Sequence, residues 1–332
     1  MNEKLKSAGK YLALVALTAG LLWLSLRALQ VGEGQDKGAF LWATWVKSDK
    51  RFLLWMAVIA VVSHALRAER WRMLLQPTGH SVSLTSSFLS LMVGYLVNLA
   101  IPRGGEISRC VNLYQLEKTP VETSFGTVVV ERVVDVLCLV LLLVIAFWVE
   151  WDKLVLFIQS LPWHSGGNVP WTFVAVAAAG LLVAVVAYRW ARKQQRAKKI
   201  LAGFREGLLS VARLKNKWLF AGYSLAIWAL YFLMSYFIVL AFPETSTLGP
   251  GAVLTLFAIG SIAMAAPLPG GAGSYHTLVP LGLVALYSLP EADAIAFVFV
   301  FHAWQTFIMI VAGFLSLTLT YALIRWRKQL KK

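Results

Sequence analysis

Residues 123–149 have the sequence TSFGTVVVERVVDVLCLVLLLVIAFWV, an apolar run that contains Glu131, Arg132 and Asp135. Since about 20 apolar residues suffice for a helix to cross the hydrocarbon core, the run predicts a transmembrane helix. Each charge costs at least ~2.5 kcal/mol at the centre of such a helix. Their spacing places the three side chains on neighbouring positions of one helix face. They must therefore pair, as in a structural Arg132–Asp135 bridge, or face a polar cavity with a functional role.

Similar apolar runs recur along the chain of 332 residues, of which 59% are hydrophobic and 14% are charged. Ordinary soluble domains have roughly 25% charged residues. Five further runs approach the length of a transmembrane helix, at 11–29, 52–66, 171–188, 218–242 and 294–324. We predict an all-α polytopic membrane protein in which residues 1–332 form a single integral membrane domain with about six full transmembrane helices. The run at 11–29 follows a lysine-rich start, and we expect a retained span there rather than a cleaved signal peptide.

The net charge of +15 follows the pattern of a membrane topology rather than that of a nucleic-acid site. Twenty-four of the 31 lysines and arginines lie in five segments, namely the N-terminus, 67–83, 102–122, 189–217 and the C-terminal tail. Basic residues concentrate in the cytoplasmic loops of membrane proteins. The distribution predicts a multi-pass protein of the bacterial inner (plasma) membrane with cytoplasmic N- and C-termini. It predicts no nucleic-acid partner.

Two of these basic segments have patterns that suit a lipid surface. The segment 189–217 combines ten basic residues with apolar positions at helical spacing, which predicts an amphipathic helix on the cytoplasmic leaflet. The stretch from Arg67 to Arg72 is basic and aromatic at the end of a predicted helix, which indicates contact with anionic lipid headgroups.

Two glycine- and proline-rich interruptions predict re-entrant hairpins. If 67–83 and 102–122 are both cytoplasmic, the segment 81–101 cannot be an ordinary crossing, and we expect a hairpin that turns at Ile-Pro-Arg-Gly-Gly, residues 101–105. The second interruption, residues 267–273, separates two runs of about 16 residues, each shorter than a span. A hairpin that enters from the outside would satisfy the charge distribution there, and so would three full crossings. With both alternatives open, we expect six to nine hydrophobic segments in the chain.

Broken helices at bilayer depth occur where the backbone is buried in protein or lines a wet cavity, as in transporters. This places candidate substrate-binding residues around both interruptions. Arg103, Arg109 and Arg132 could form a cationic groove for a lipid phosphate, because arginine forks and helix N-termini bind phosphate well. Glu106 belongs to the first interruption, and Asn98 could bond the broken backbone or touch the ligand. The remaining candidates flank the second interruption or lie beside the groove: Glu131, Asp135, Gly270, Gly271 and His276.

Enzyme signatures are missing from the sequence. It contains no phosphate-binding P-loop, no dinucleotide glycine fingerprint, no His-Glu-x-x-His and no paired-cysteine metal spacing. The two cysteines, Cys110 and Cys138, argue against a disulfide framework. We therefore predict no catalytic residues, no metal and no cofactor.

Four stretches together resemble the flippase-like membrane domain of lysylphosphatidylglycerol synthases, which also occurs as stand-alone proteins. They are the Arg-x-x-Arg-Trp-x-x-Leu-Leu pattern of residues 67–75, residues 98–109, residues 126–135 and the Pro-Gly-Gly-Ala-Gly of residues 269–273. In the synthases a separate domain adds lysine to phosphatidylglycerol, and the membrane part is thought to move the product between leaflets. The resemblance thus implies lipid transport. We expect no synthase activity, because the sequence ends at Lys332 without such a domain. Members usually have an acidic residue just after the Pro-Gly-Gly segment, where this chain has His276, so the charge of its substrate stays open.

Three functions are therefore considered. The first is a flippase that moves a phospholipid or lipid-linked headgroup between leaflets, with Arg103 and Arg132 on the phosphate. The second is a membrane enzyme that uses Glu131 and Asp135 as acid and base. The third is a scaffold that docks a separate synthase or glycosyltransferase through residues 189–217. A second copy of the chain is a further candidate partner.

Overall fold

The structure is a computed structural model and describes residues 36–160, 195–265, 268 and 271–329, together with positions 23, 26, 27 and 29. Within these residues the chain forms α-helices and two short 3-10 turns, and no strand. We number the helices in chain order. They are α1 Lys37–Lys47, α2 Lys50–Leu75, α3 Leu84–Ala100, α4 Gly104–Glu117, α5 Val121–Val149, α6 Trp151–Ser160, α7 Gln195–Leu209, α8 Lys217–Ala241, α9 Pro250–Ala265, α10 Ser274–Tyr287 and α11 Glu291–Gln329.

Three of the described helices are long and apolar enough to cross a membrane: Lys50–Thr78, Lys217–Ala241 and Glu291–Arg327. The 29-residue α5 exposes apolar side chains such as Leu137 and Val144 along its second half, as a lipid-facing helix does. These four helices correspond to the predicted spans at 52–66, 123–149, 218–242 and 294–324. The prediction of an all-α polytopic membrane protein is therefore confirmed. The predicted span 171–188 and most of 11–29 lie outside the described residues.

The helix α2 is longer than the sequence predicted. We expected the span to end at Leu66 and a loop to follow, but α2 continues to Leu75. Arg67 and Arg70 are 5% and 0% exposed, so they lie inside the bundle rather than at the lipid surface. Their charges are compatible with burial because carboxylates of α5 pair with them, as described below. The prediction that they contact anionic headgroups is wrong for this reason.

The first predicted hairpin is formed by α3 and α4, and we call it hairpin 1. Its open end is closed by Glu117, which accepts hydrogen bonds from the hydroxyls of Ser83 at 3.0 Å and Ser86 at 2.5 Å. At the tip, Asn98 Oδ1 accepts a hydrogen bond from the Gly105 amide at 2.7 Å. The side chain thereby satisfies a backbone donor that the interruption leaves without a helical partner. The hydrogen bond expected of Asn98 is present.

The second hairpin, hairpin 2, is formed by α9 and α10, which have 16 and 14 residues. Both are too short to cross a bilayer, where about 20 residues are needed, so three full crossings are not formed. Near the tip, Ser274 Oγ donates to Ala263 O at 2.7 Å. At the open end, the Lys153 ammonium lies 4.8 Å from the centre of the Tyr287 ring.

The two hairpins enter the bundle from opposite ends. The helix α11 begins shortly after hairpin 2 ends, and Phe297 in its second turn packs against Phe242 with ring centres 5.0 Å apart. At the far end of α11, Arg327 Nη1 donates to Leu116 O at 2.6 Å, beside the open end of hairpin 1. The open ends are thus separated by the length of α11. Near the tips the two hairpins are in contact, where Arg103 Nη2 donates to Ala265 O at 2.9 Å.

The predicted amphipathic helix in 189–217 is present as α7, but one of its faces packs on protein. Gly207 and Gly126 of α5 cross in direct contact, so that a Cβ on either residue would collide with the opposite backbone. Phe204 and Phe125 pack beside this crossing with ring centres 6.2 Å apart. Within the described part of the segment, Lys198 and Arg205 remain exposed. The helix is therefore attached to the first turns of α5.

We expect Gly105→Ala to destabilise the protein, because its methyl group would collide with Gly94 O and lie 2.6 Å from Asn98 Cγ. Overpacking of this kind costs about 1–3 kcal/mol. Gly222→Ala in α8 is the matched control, since nothing lies within 4 Å of the added Cβ. Thermal unfolding in detergent should show a lower midpoint for the first variant and an unchanged or slightly higher one for the second. Equal midpoints would contradict the tight hairpin tip.

The fold also predicts which positions share a side of the membrane. In a chain with Cys110 and Cys138 replaced by alanine, single cysteines at Ser81 and Lys118 should react with an impermeant maleimide from the same side. A cysteine at Thr247, in the loop between α8 and α9, should react from the other side. Opposite labelling of Ser81 and Lys118 would show a plain crossing in place of hairpin 1.

Candidate functional site

The site is organised around Glu131, a fully buried carboxylate on α5 that accepts hydrogen bonds from three arginines. Arg67 Nε lies 2.8 Å from Oε1, and Arg70 Nη2 lies 3.2 Å from the same oxygen. Arg109 Nη2 approaches Oε2 at 2.9 Å. An ionised carboxylate is tolerated in such a place only when it is paired and hydrogen-bonded. Glu131 thus joins α5 to α2 and α4.

A second layer of contacts surrounds Asp135, one turn further along α5. Its two oxygens bind Arg67 Nη2 at 2.8 Å and Arg70 Nη2 at 2.7 Å. Arg132 Nη2 donates to Glu106 Oε1 at 2.8 Å, whereas its distance to Asp135 is 3.7 Å. The structural Arg132–Asp135 pair is therefore present, but it is a weaker contact than the bond between α5 and hairpin 1.

The arginines are positioned by neutral groups as well. Arg67 Nη1 donates to Tyr231 OH at 3.1 Å, and Arg70 Nη1 donates to Ser224 Oγ at 3.3 Å, both on α8. The guanidinium of Arg109 lies 4.6 Å from the centre of the Trp71 ring. Such stacking on an aromatic face suits a guanidinium because it is delocalised and weakly hydrated. Each arginine is thus fixed from two or more helices.

We call this set of seven side chains the arginine–carboxylate network; its members are Arg67, Arg70, Glu106, Arg109, Glu131, Arg132 and Asp135. It contains four guanidinium groups and three carboxylates, so one positive charge is in excess. The buried guanidinium side chains are 0–6% exposed, while that of Arg132 is 36% exposed. Arg132 is therefore the member of this positively charged network that a ligand can reach. This arrangement can bind an anion.

Hairpin 1 adds a second accessible cation. Arg103 is exposed and directly precedes α4, whose first turn carries Glu106. Glu106 in turn binds Arg132 at 2.8 Å, so the turn of α4 that follows Arg103 is attached to Arg132. Of the three arginines predicted to form a phosphate groove, these two are accessible. Arg109 is 2% exposed and is held by Glu131 and Trp71.

The predicted residues of the second interruption belong to the interior of hairpin 2. Gly271 has φ +72°, and a Cβ there would collide with the Met264 sulfur, so glycine suits this turn. His276 is 3% exposed, with its ring centre 4.7 Å from that of His302 and 4.5 Å from that of Phe299. The Gly273 amide donates to His276 Nδ1 at 3.4 Å, which caps the start of α10. Gly270 lies outside the described residues.

Arg67 and Arg70 are the members of the network that the sequence analysis did not include. A signal for them exists in the sequence. Arg67 and Arg70 are three residues apart and Glu131 and Asp135 are four apart, so each pair lies on one face of its helix. Two basic and two acidic side chains on matching faces predict a pairing between the helices, and the structure contains it.

Together the helices, the two hairpins and the buried network define a polytopic α-helical membrane protein with an ionic cluster inside its bundle. Residues 11–313 match the family described as the lysylphosphatidylglycerol synthase TM region, and the chain belongs to this family. The resemblance inferred from the four sequence stretches is thereby confirmed.

Two relatives are named UPF0104 membrane protein. The protein of Methanothermobacter thermautotrophicus is 24% identical over 291 residues, which cover 80% of this chain and 83% of the relative. The protein of Methanocaldococcus jannaschii is 28% identical over 93 residues, which cover 27% of this chain and 28% of the relative. No solved structure matches the chain.

We expect Glu131→Gln to destabilise the protein by about 3–5 kcal/mol, because it leaves the charges of buried arginines without their carboxylate. Glu69→Gln is the matched control. Glu69 is also a carboxylate paired with an arginine, but its partner Arg72 is 32% exposed, and such pairs contribute about 0–1 kcal/mol. Unfolding midpoints in detergent should separate the two variants clearly. Similar losses from both would show that Glu131 does not hold the bundle together.

Proposed function

We propose that this protein is a lipid flippase that moves a phospholipid or phosphate-linked headgroup between the leaflets of the inner membrane, with its termini in the cytoplasm. The observation that carries the proposal is the excess positive charge of the arginine–carboxylate network as a whole, of which Arg132 is the most accessible member. An excess charge inside a membrane protein is costly and marks a substrate or ion pathway by default. An anionic ligand would compensate it.

Phosphate is the anion that fits best. Guanidinium groups bind phosphate through two parallel hydrogen bonds, and charged hydrogen bonds are roughly twice as strong as neutral ones. Arg132 supplies one such fork and Arg103, the residue before α4, supplies a second. The buried arginines behind them are already held by carboxylates and cannot compete for the ligand. The accessible pair therefore takes the phosphate, and the buried set fixes its position.

The two hairpins supply a path for the headgroup. They come from opposite ends of the bundle and meet where Arg103 contacts Ala265. Interrupted helices that meet in this way are typical of transporters whose substrate site lies near the middle of the bilayer. Polar backbone at the two tips favours a headgroup, while the exposed apolar surfaces of α5 and α11 suit its lipid tails.

The family gives independent support for a lipid substrate. Its description refers to the transmembrane part of a lipid-modifying synthase. A lysylated headgroup would bring cationic amines together with its phosphate. The excess charge of the network is positive, so we assign the phosphate rather than an amine to Arg132. Headgroups with a net negative charge should therefore be preferred.

The enzyme hypothesis receives less support from the geometry. Both carboxylates that could act as acid and base, Glu131 and Asp135, accept bonds from two or three guanidinium groups. A general base needs a lone pair that reaches the proton it removes. Lipid analysis of a deletion strain separates the two functions, since a missing lipid species would favour an enzyme and an altered leaflet distribution would favour transport.

The proposal predicts headgroup movement in liposomes reconstituted with the purified protein. Arg132→Gln should slow the flipping of a fluorescent phosphatidylglycerol by about tenfold or more, because a charged hydrogen bond contributes about 1.5–3 kcal/mol. Arg213→Gln is the control, since Arg213 is an exposed arginine outside the network. Wild-type rates equal to those of protein-free liposomes would reject the flippase.

A further inference from the structure

The side chain that joins the two hairpin tips belongs to a residue with an unfavourable backbone. Arg103 has φ +60° and is one of three residues other than glycine in the described chain with a positive φ. The left-handed conformation brings a Cβ close to the following carbonyl, so it is costly for any residue except glycine. Arg103 also provides no side-chain cap for α4, which begins at the next residue. A glycine would suit this position better unless the guanidinium itself is needed.

The acceptor of that guanidinium is a helix end. Ala265 is the last residue of α9, and its carbonyl has no amide partner within the helix. The aligned peptide dipoles give such a C-terminus a partial negative charge of about half an electron, which attracts a cation. Arg103 Nη2 lies 2.9 Å from Ala265 O and thus caps α9 from the tip of the other hairpin. The contact joins hairpins 1 and 2 near their tips.

A phosphate is a stronger acceptor than this carbonyl. It has at least one full negative charge and can occupy both prongs of the guanidinium, whereas Ala265 O binds one nitrogen. Arg103 is exposed, so a ligand can reach it. Arg103 directly precedes α4, and Glu106 in the first turn of that helix binds Arg132 at 2.8 Å, so hairpin 1 links the two accessible arginines.

We infer that Arg103 is a phosphate-operated latch: without ligand it holds the tips of the two hairpins together through Ala265, and a ligand phosphate takes over the guanidinium and lets the tips separate. The inference rests on the proposed function, since it takes the transported headgroup as the ligand. It adds the step that couples binding to opening. A ligand can shift a conformational equilibrium only by interacting differently with the two states, and the exchange of acceptors at Arg103 provides that difference.

The latch can be tested by measuring the distance between the hairpins. Ile107 of hairpin 1 and Ile262 of hairpin 2 are 56% and 51% exposed and lie close to the two tips. With Cys110 and Cys138 replaced by alanine, spin labels on Ile107→Cys and Ile262→Cys report the separation by pulsed electron resonance. The full chain in detergent is measured alone, with short-chain phosphatidic acid, with the diacylglycerol of the same chain length, and with inorganic phosphate.

We expect phosphatidic acid to lengthen the main distance by about 5 Å or more, on the order of one helical turn, and diacylglycerol to have no effect. A response to inorganic phosphate as well would assign the trigger to the phosphate group itself. A response to the lipid alone would assign it to a headgroup delivered with its tails. Arg103→Gln should give the long distance without ligand, and the control Arg213→Gln should behave as the unmodified pair.

Several outcomes would overturn the latch. The first is a short distance between the spin labels in ligand-free Arg103→Gln. The second is a lengthening with diacylglycerol equal to that with phosphatidic acid, and the third is no lengthening with phosphatidic acid when Arg103 is unchanged. The third measurement needs no change at Arg103, so it decides the question even if Arg103→Gln fails to fold. Flipping by the same double-cysteine protein is measured in parallel. Opening without flipping would reject transport and keep the latch, whereas flipping that depends on Arg132 without opening would reject the latch and keep transport.

Discussion

The structure depends on the pairing of one buried carboxylate, Glu131, with three arginines from two other helices. None of these groups could be buried alone, because an isolated ion in a medium of low dielectric constant is unstable by many kcal/mol. Glu131 and Asp135 together offset most of the arginine charge, which allows α2 to continue beyond Leu66 as a buried helix. It also attaches hairpin 1 to α5 through Arg109. The network therefore determines the arrangement of the helices around it as well as the charge of the site.

Buried ion pairs contribute little net stability, since apolar residues of similar volume often stabilise a protein equally well. The imbalance between positive and negative charges in the network is therefore informative. A purely structural cluster would be expected to balance its charges, whereas this one has four guanidinium groups for three carboxylates, and Arg132 is its most accessible arginine. The three buried arginines fix Glu131 and Asp135. Glu106 binds Arg132, and in the proposed function this contact orients the guanidinium for the ligand in advance.

The sequence predicted the features that follow from length and charge, and missed those that follow from contacts between distant segments. Charge distribution and a short apolar run sufficed to predict hairpin 1, because a run of about 14 residues cannot cross a bilayer. For the second interruption they left open a hairpin or three full crossings, and the short helices α9 and α10 decide for the hairpin. The hydrogen bond of Asn98 to the broken backbone is local and was also predictable. The end of α2 was misplaced since Arg67 appears polar in isolation, and its partner Glu131 lies 64 residues away. The packing of α7 on α5 depends on Gly126 and Gly207 coming together, which neither segment reveals by itself.

The same requirement for paired polar groups governs how the hairpins can move in the proposed latch. Separation of the tips breaks the hydrogen bond between Arg103 Nη2 and Ala265 O, a carbonyl in the last turn of α9. In the latch a phosphate then binds the guanidinium, and water that enters with the polar headgroup binds the carbonyl. Only a ligand that interacts differently with the joined and the separated tips can shift the balance between them. A headgroup with a phosphate meets this condition, whereas lipid tails alone do not.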